Sequence, residues 1–213
     1  GSVTLRAGEM GIVGTLPDYR HGRRSLVAAL VERFNELLEE GEYDLTHIQG
    51  IPYYYRRYGY DYALPLEPHL NLELRAVPAA QGDETQRFTI RPAKEADIPA
   101  LARLYDDAAR VLDLSAERDG SMWRYLLAHT AGTAMEADTW VIAEPGGEVI
   151  GYWRVPSEGF GDGLIVGEAS QLPYRAAQAA LRHLKSLAQT RGKPYIRLAT
   201  SAESSLWRTA QAW

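Results

Sequence analysis

Apolar positions along the chain change their spacing repeatedly, and each change marks a new element. Residues 4–15 read as a strand, its second half falling in the apolar run Met10 to Leu16. Leu26, Leu30, Phe34 and Leu37 then recur at helical spacing over about 24–40, with Gly41 as the stop. A strand over Tyr43–Gln49, a short helix over Pro52–Tyr58 and a strand over Tyr60–Leu66 follow. The polar stretch 78–86 breaks the periodicity and reads as a linker. Beyond it the pattern predicts a strand at Phe88–Arg91 and a helix capped by Asp97. That helix runs to Leu112, with Ile98, Leu101, Tyr105, Ala108 and Leu112 on one face. A helix near Met122–His129 precedes strands at Thr139–Ala143, Val149–Val155 and Gly163–Ala169. A helix over Arg175–Thr190 ending at Gly192, a strand over Tyr195–Thr200 and a helix from Ser204 complete the order.

This order contains a repeat. Leu16-Pro17-Asp18-Tyr19-Arg20 answers to Leu172-Pro173-Tyr174-Arg175, about 150 residues later. Each precedes a helix ending in glycine, a strand opening at a tyrosine (Tyr43, Tyr195) and a short helix carrying aromatics (Tyr54 and Tyr55; Trp207). The second copy has three strands and two helices ahead of this module, whereas the first begins at its strand. The expectation is two tandem partial units, the first without its front half and the second stopping inside a helix.

Composition narrows the function classes. The 213 residues are 46% hydrophobic and 24% charged, which is ordinary for a globular protein. Lys and Arg number 23 against 28 Asp and Glu, a net charge of −5, where a general nucleic-acid binder is expected to be basic. The absence of cysteine excludes disulfides, thiolate metal sites and cysteine nucleophiles. No stretch approaches the roughly 18 apolar residues of a membrane span, and no secretory signal is visible. The expectation is a cytoplasmic protein with no nucleic-acid or membrane partner. The five histidines are scattered without metal-ligand spacing, so no metal site is expected.

Against this acidic background the turn Pro17-Asp18-Tyr19-Arg20-His21-Gly22-Arg23-Arg24-Ser25 stands out. It places three arginines and a histidine at the start of a helix, where the dipole disfavours cations by roughly 0.3–1 kcal/mol each. An anionic ligand reverses that cost, because free N–H groups, the dipole and the guanidiniums converge on it. Strand, basic glycine-containing turn and helix together point to a phosphate-bearing ligand. Neither a Walker A lysine pattern nor a three-glycine dinucleotide fingerprint is present.

Val13-Gly14-Thr15-Leu16-Pro17-Asp18-Tyr19-Arg20 and Tyr54-Tyr55-Arg56-Arg57-Tyr58-Gly59-Tyr60 resemble two motifs of the GNAT superfamily of acyl-CoA-dependent N-acyltransferases. The first resembles the bulged strand and pyrophosphate loop, the second the aromatic-Tyr-x-x-aromatic-Gly-aromatic signature. The loop departs from the family's Arg/Gln-x-x-Gly-x-Gly/Ala: Arg23 stands where glycine is expected, Ser25 holds the small position and the glycine falls at 22. The resemblance implies an α+β fold with a mixed central sheet flanked by helices. It implies acetyl-CoA as cofactor, with Ile12, Val13 and Gly14 binding the pantetheine arm through their backbone. Arg20, His21, Gly22, Arg23, Arg24 and Ser25 would cradle the pyrophosphate, and Gln49 would add a polar contact. Tyr55 aligns with the family's proton donor to the leaving thiolate, and Glu9 is the nearby carboxylate for a general base. Leu172–Ala179 lacks the glycine and keeps one arginine, so the second copy is expected to bind cofactor poorly or not at all.

The expected organisation is residues 1–77 as the C-terminal half of a GNAT-like acyl-CoA-binding domain. Residues 78–86 are the linker, and 87–213 a second, degenerate GNAT-like domain lacking its C-terminal strands. The expected activity is transfer of an acetyl group to a primary amine of a small molecule or peptide in a ternary complex. The alternative is a non-catalytic acyl-CoA-binding or interaction module, and a homo-oligomer is compatible with either.

Overall fold

The computed structural model describes residues 3–20, 26–51, 53–64, 68–80 and 87–213. The chain divides into two compact units, Gly1–Pro65 and Leu66–Trp213. The first contains β1 (Ala7–Glu9), α1 (Leu26–Glu40) and β2 (Leu45–His47), with 3-10 turns at Pro17–Tyr19 and Tyr55–Tyr58. The strands pair in parallel, Ala7 with Leu45, Gly8 with Thr46 and Glu9 with His47, so α1 is the crossover of a β-α-β segment.

The predicted strand at 4–15 is only three residues long. Its register ends at Glu9, and Ile12 takes a left-handed backbone (φ 52°) that no strand accommodates. Residues 60–64 are likewise not a strand; their tyrosines pack around the 3-10 turn instead. Helix α1 ends as expected, but by a different residue. Glu42 (φ 53°) takes the left-handed position, with Glu42 N–H donating to Glu39 and Tyr43 N–H to Leu38. Gly41 is needed for space: a Cβ there would lie 2.6 Å from the Tyr43 ring.

The second unit begins with a strand that the sequence pattern did not reveal, β3 (Leu70–Glu73). Residues 70–77, expected to close the first domain, belong here, because β3 pairs antiparallel with the last strand and Val77 is buried in this unit's core. The boundary therefore falls at 65/66, not after 77. Of the expected linker, 78–80 is irregular and 81–86 lies outside the described residues.

The remaining elements are β4 (Thr89–Pro92), α2 (Ile98–Ala109), α3 (Gly120–Ala128), β5 (Ala137–Ala143), β6 (Val149–Pro156), β7 (Leu164–Val166), β8 (Glu168–Ala169), α4 (Tyr174–Thr190), β9 (Tyr195–Leu198) and α5 (Ser205–Gln211). One sheet runs β4-β5-β6-β8, all antiparallel; the other runs β3-β9-β7, with β7 and β9 parallel. The expected single strand 163–169 is thus split at Gly167 between two sheets. Two clusters form the core, one under α4 and one under α2 and α3 around the fully buried Trp123. Asp97, expected to cap α2, stands at the N-cap position without bonding any N–H of the helix; its carboxylate is taken by Arg91 and Lys94 N–H, and α2 ends at Ala109 rather than Leu112. Asp119 accepts from Met122 N–H at 2.8 Å, and Ser204 from Trp207 N–H at 3.3 Å. Gly192 (φ 63°) closes α4, with Lys193 N–H on Ala188 and Gly192 N–H on Gln189. Among the described residues no helix is long and apolar enough to cross a membrane.

Candidate functional site

Five of the sequence-predicted residues, Glu9, Ile12, Val13, Gly14 and Gln49, lie at or just past the ends of β1 and β2. Parallel pairing sends both chains out at the same edge, the position where open α/β units bind ligands. Glu9 is the last residue of β1 and Ile12, Val13 and Gly14 follow it; Gln49 lies two residues past the end of β2. Glu9 pairs directly with His47, so the two side chains share a face. The opposite face carries Gly8, where a Cβ would lie 2.4 Å from Leu38 of α1. The Glu9–His47 face is thus the one turned away from the helix, and both residues are exposed. Residue spacing along the sequence gave no reason to link His47 to Glu9; only the strand register does.

Ile12 shapes the segment. A β-branched residue at positive φ costs on the order of 1–3 kcal/mol. Here it also leaves the side chain fully exposed. Among the described residues no backbone hydrogen bond ties Gly11–Gly14 to another part of the chain. The chain is gathered again at Thr15, whose carbonyl accepts from Arg20 Nε at 2.9 Å. Pro17–Tyr19 then forms a 3-10 turn that Arg20 N–H closes on Pro17. This fixes where Arg20 starts while leaving its side chain exposed. His21, Gly22, Arg23, Arg24 and Ser25 lie outside the described residues.

Tyr55 is half-buried at the start of the second 3-10 turn. Its ring lies against Gly50, where a Cβ would come within 2.5 Å of it, and meets Tyr54 and Tyr60 edge-on at 5.0 and 6.2 Å. The neighbouring tyrosines have structural partners. Tyr60 shares a hydrogen with Thr46 on β2, Tyr62 accepts from Tyr53 N–H at 2.6 Å, and Arg57 stacks over Tyr54. Tyr58, then the burial of Tyr54, hold the Tyr54 hydroxyl above its ordinary pKa. A groove of about 630 Å³ lies beside β1 between Phe34, Leu38 and Tyr43. Of the sequence-predicted residues Glu9 lines it, and Arg20, Gln49 and Tyr55 do not.

The second unit repeats this topology with a different ending. Here β7, α4 and β9 form the parallel segment. Gly167 stands five residues before Leu172, as Gly11 does before Leu16. After Gly167 the chain leaves β9 and joins β6, so the sheet forks. The fork is bridged. Leu172 N–H donates to Ser205 Oγ at 2.7 Å, Ser205 N–H to Gln171 Oε1 at 3.0 Å and Gln171 Nε2 to the Glu203 carbonyl at 3.4 Å. Ala176 and Ala177, at the start of α4, are fully buried. Among the described residues no group of three or more His, Asp or Glu side chains is placed to hold a metal ion.

Comparison with known proteins agrees with this geometry at the level of the fold. A GCN5-related N-acetyltransferase from Kribbella flavida superposes with a TM-score of 0.63 at 14% identity, over 93% of this chain and 46% of that one. One from Anabaena variabilis gives 0.59 at 18% identity, over 94% and 49%. The chain has the fold of the GCN5-related N-acetyltransferases. An Enterococcus faecalis protein of unknown function, named a probable N-acyltransferase, gives 0.62 at 16% identity, over 92% and 47%. The chain thus spans about half the length of these GNAT-fold structures. No family model matches the sequence, and no curated protein does.

Proposed function

We propose that the chain takes part in acetyl transfer from acetyl-CoA to a primary amine, with the first unit holding the cofactor. The observation carrying this reading is Ile12: a strained, left-handed residue at the open edge of a parallel β-α-β segment, followed by backbone with no described partner. Backbone strain of this kind persists where it serves a ligand. The amides of the pantetheine arm would pair with Ile12, Val13 and Gly14 as an added strand. Arg20, with His21, Gly22, Arg23, Arg24 and Ser25 after it, would hold the pyrophosphate at the start of α1. Gln49 would contribute a polar contact. When bound, acetyl-CoA supplies the thioester acyl group. Glu9, with His47 beside it, would take the proton from the attacking amine. Tyr55 would give its phenolic proton to the departing sulfur.

Titration calorimetry of acetyl-CoA tests the cradle. The Arg20→Ala, Arg23→Ala, Arg24→Ala variant is expected to bind at least about tenfold more weakly than wild type. Equal affinity would remove the loop from the site. Tyr55→Phe is expected to lower kcat by about 10²-fold or more with KM for acetyl-CoA unchanged.

A second reading, a non-catalytic acyl-CoA-binding module, draws on one observation. Neither the Glu9 carboxylate nor the Tyr55 hydroxyl has a hydrogen-bond partner among the described residues to hold it in position. Cofactor binding with an unchanged rate in Tyr55→Phe would favour that module.

A further inference from the structure

We infer that, on the reading of the first unit as an acetyl-transfer site, the acceptor is an amine carrying an aromatic ring, and that Tyr53 and Tyr62 form the surface that takes this ring. Among the described residues other than glycine, positive φ occurs at Ile12, Glu42 and Tyr53. Glu42 ends α1, and Ile12 opens the segment assigned to the pantetheine arm. Tyr53 (φ 66°) does neither. It stands third in a turn that Tyr54 N–H closes on the Ile51 carbonyl at 3.2 Å, a position where positive φ normally selects Gly or Asn. A ring-bearing residue there stores backbone strain, and burial does not offset it, because Tyr53 is 75% exposed. What the strain secures is the position of an exposed ring.

A second tyrosine holds that ring. Gly59 (φ 92°) turns the chain back, and Tyr53 N–H donates to the Tyr62 hydroxyl at 2.6 Å. Tyr62 is fixed at its other end by its own N–H, which donates to Asp61 Oδ1 at 2.9 Å. The two rings meet at 6.0 Å with their planes 81° apart, and Tyr62 is 61% exposed. They form a corner open to solvent, with the face of one ring beside the edge of the other. A third ring can stack on one wall and meet the other edge-on, the two arrangements that aromatic quadrupoles favour.

Neighbouring charge selects a neutral ring over a second ammonium. Arg56 lies over the Tyr62 ring at 6.0 Å and pairs with Asp61 at 3.5 Å. Arg57 lies over Tyr54 and Tyr58 at 5.0 and 5.8 Å. Among the described residues the turn thus sets two guanidiniums against one carboxylate, so a polycationic acceptor would meet like charge here. No cation among them lies over the Tyr53 ring. Tyr55, the proposed proton donor, is two residues on, and its ring lies against Gly50, which closes the loop carrying Tyr53 back towards the end of β2. An amine with one positive charge and a ring at its other end suits both features, Glu9 for the charge and the corner for the ring.

The test uses the whole chain with acetyl-CoA and two acceptors, 2-phenylethylamine and 2-cyclohexylethylamine, which share a carbon skeleton and differ in the aromaticity of the ring. The aromatic amine should show a kcat/KM about three- to tenfold higher, carried by KM. Glycine suits a positive φ, so Tyr53→Gly removes the ring while keeping the turn and should bring the ratio to about one; Tyr53→Phe should preserve it. Binding is read separately, without acetyl-CoA, by NMR of ring-labelled tyrosine, with Tyr53 assigned by its loss from Tyr53→Gly. 2-Phenylethylamine should shift the Tyr53 and Tyr62 signals saturably, and 2-cyclohexylethylamine should not. Calorimetry of acetyl-CoA checks the transfer reading on its own. If the cofactor binds but the two amines react equally well, or Tyr53→Gly keeps the wild-type ratio, the aromatic acceptor is overturned and the transfer reading stands. If the cofactor fails to bind while the Tyr53-dependent shifts remain, the corner is supported as an aromatic-amine site and the transfer reading falls. Ring signals that do not respond overturn the corner in either case.

Discussion

The two β-α-β segments share an order of elements and differ in what their helices bury. Helix α1 has fifteen residues and buries only Val31, leaving Leu26, Leu30 and Leu37 about half exposed. Helix α4 has seventeen and buries Ala176, Ala177, Ala180, Leu181, Leu184 and Ala188 along one stripe. Both sequences show helical periodicity, so periodicity did not decide the outcome. The opposing surface did. Two three-residue strands offer α1 little to cover, whereas α4 lies on a core drawn from two sheets. The ends of the segments differ in the same sense. The second unit ties its fork shut through Gln171, Leu172 and Ser205, while the first leaves Gly11–Gly14 without a described partner. One copy is a core; the other keeps backbone available.

The largest effect that tests this contrast is in α4. Leu184 is fully buried, so Leu184→Ala should cost about 2–5 kcal/mol of stability by denaturant unfolding, as large-to-small core substitutions do. A cost under about 1 kcal/mol would mean that the α4 core is looser than its burial indicates.

Asp97 comes next. It is 7% exposed, accepts both Arg91 Nη1 and Nη2 at 2.7 and 2.8 Å, and also accepts Lys94 N–H. Asp97→Ala takes the carboxylate from Arg91, which keeps, among the described residues, only its bond to the Pro92 carbonyl, and the acceptor from Lys94 N–H, and should cost about 2–3 kcal/mol. Arg91 foremost, aided by Lys94 and opposed by burial, holds the Asp97 carboxyl below its ordinary pKa of 3.8. Its contribution is therefore present above that value and lost as pH falls through the lower folded pKa.

His183 gives the second unit an acid sensitivity at higher pH. Its ring lies between Trp140 and Trp153, with centroids at 4.4 and 5.5 Å. Burial, then Arg191, push its pKa down from 6.5 to about 4. The unfolded chain binds the proton first, so stability is full above pH 6.5, falls as pH drops towards 4 and levels off below. Replacing His183 with Phe should flatten Tm between those two values. An unchanged slope would place the acid sensitivity elsewhere.

Ser205→Ala removes the acceptor for Leu172 N–H and should cost about 1 kcal/mol. On the proposed reading wild type binds one acetyl-CoA per chain, because the second fork is already satisfied by its own residues. Two per chain, by calorimetry, would erase the distinction between the forks.

The sequence carried the parts of this contrast that depend on local chemistry. The helical periodicity of α1, α2 and α4 and the stop at Gly192 follow from residue type and spacing. Leu16-Pro17 and Leu172-Pro173 each fall ahead of a helix that joins two parallel strands, and the second of those helices starts on the buried Ala176 and Ala177. What escaped was set by pairing across the chain. Strand β3 is four residues whose partner lies more than 120 positions away. His47 beside Glu9 and Arg154 beside Glu168 are consequences of register, which no periodicity encodes. Ile12 was read as strand because a β-branched residue is normally extended; its left-handed backbone is the local departure on which the proposed site rests.

The smallest expected effect is the most direct test of the first unit. Leu30 is 51% exposed on α1, so Leu30→Lys should change stability by no more than about 0.5 kcal/mol, since a surface position loses little buried area and lysine is as good a helix former as leucine. Thermal unfolding at two protein concentrations measures it. A cost near 2 kcal/mol would mean that this face is covered in solution, and a cost that depends on concentration would assign the cover to a second copy of the chain. Either result would turn α1 from an exposed helix into a buried one, and the difference between the two segments would then lie in their forks alone.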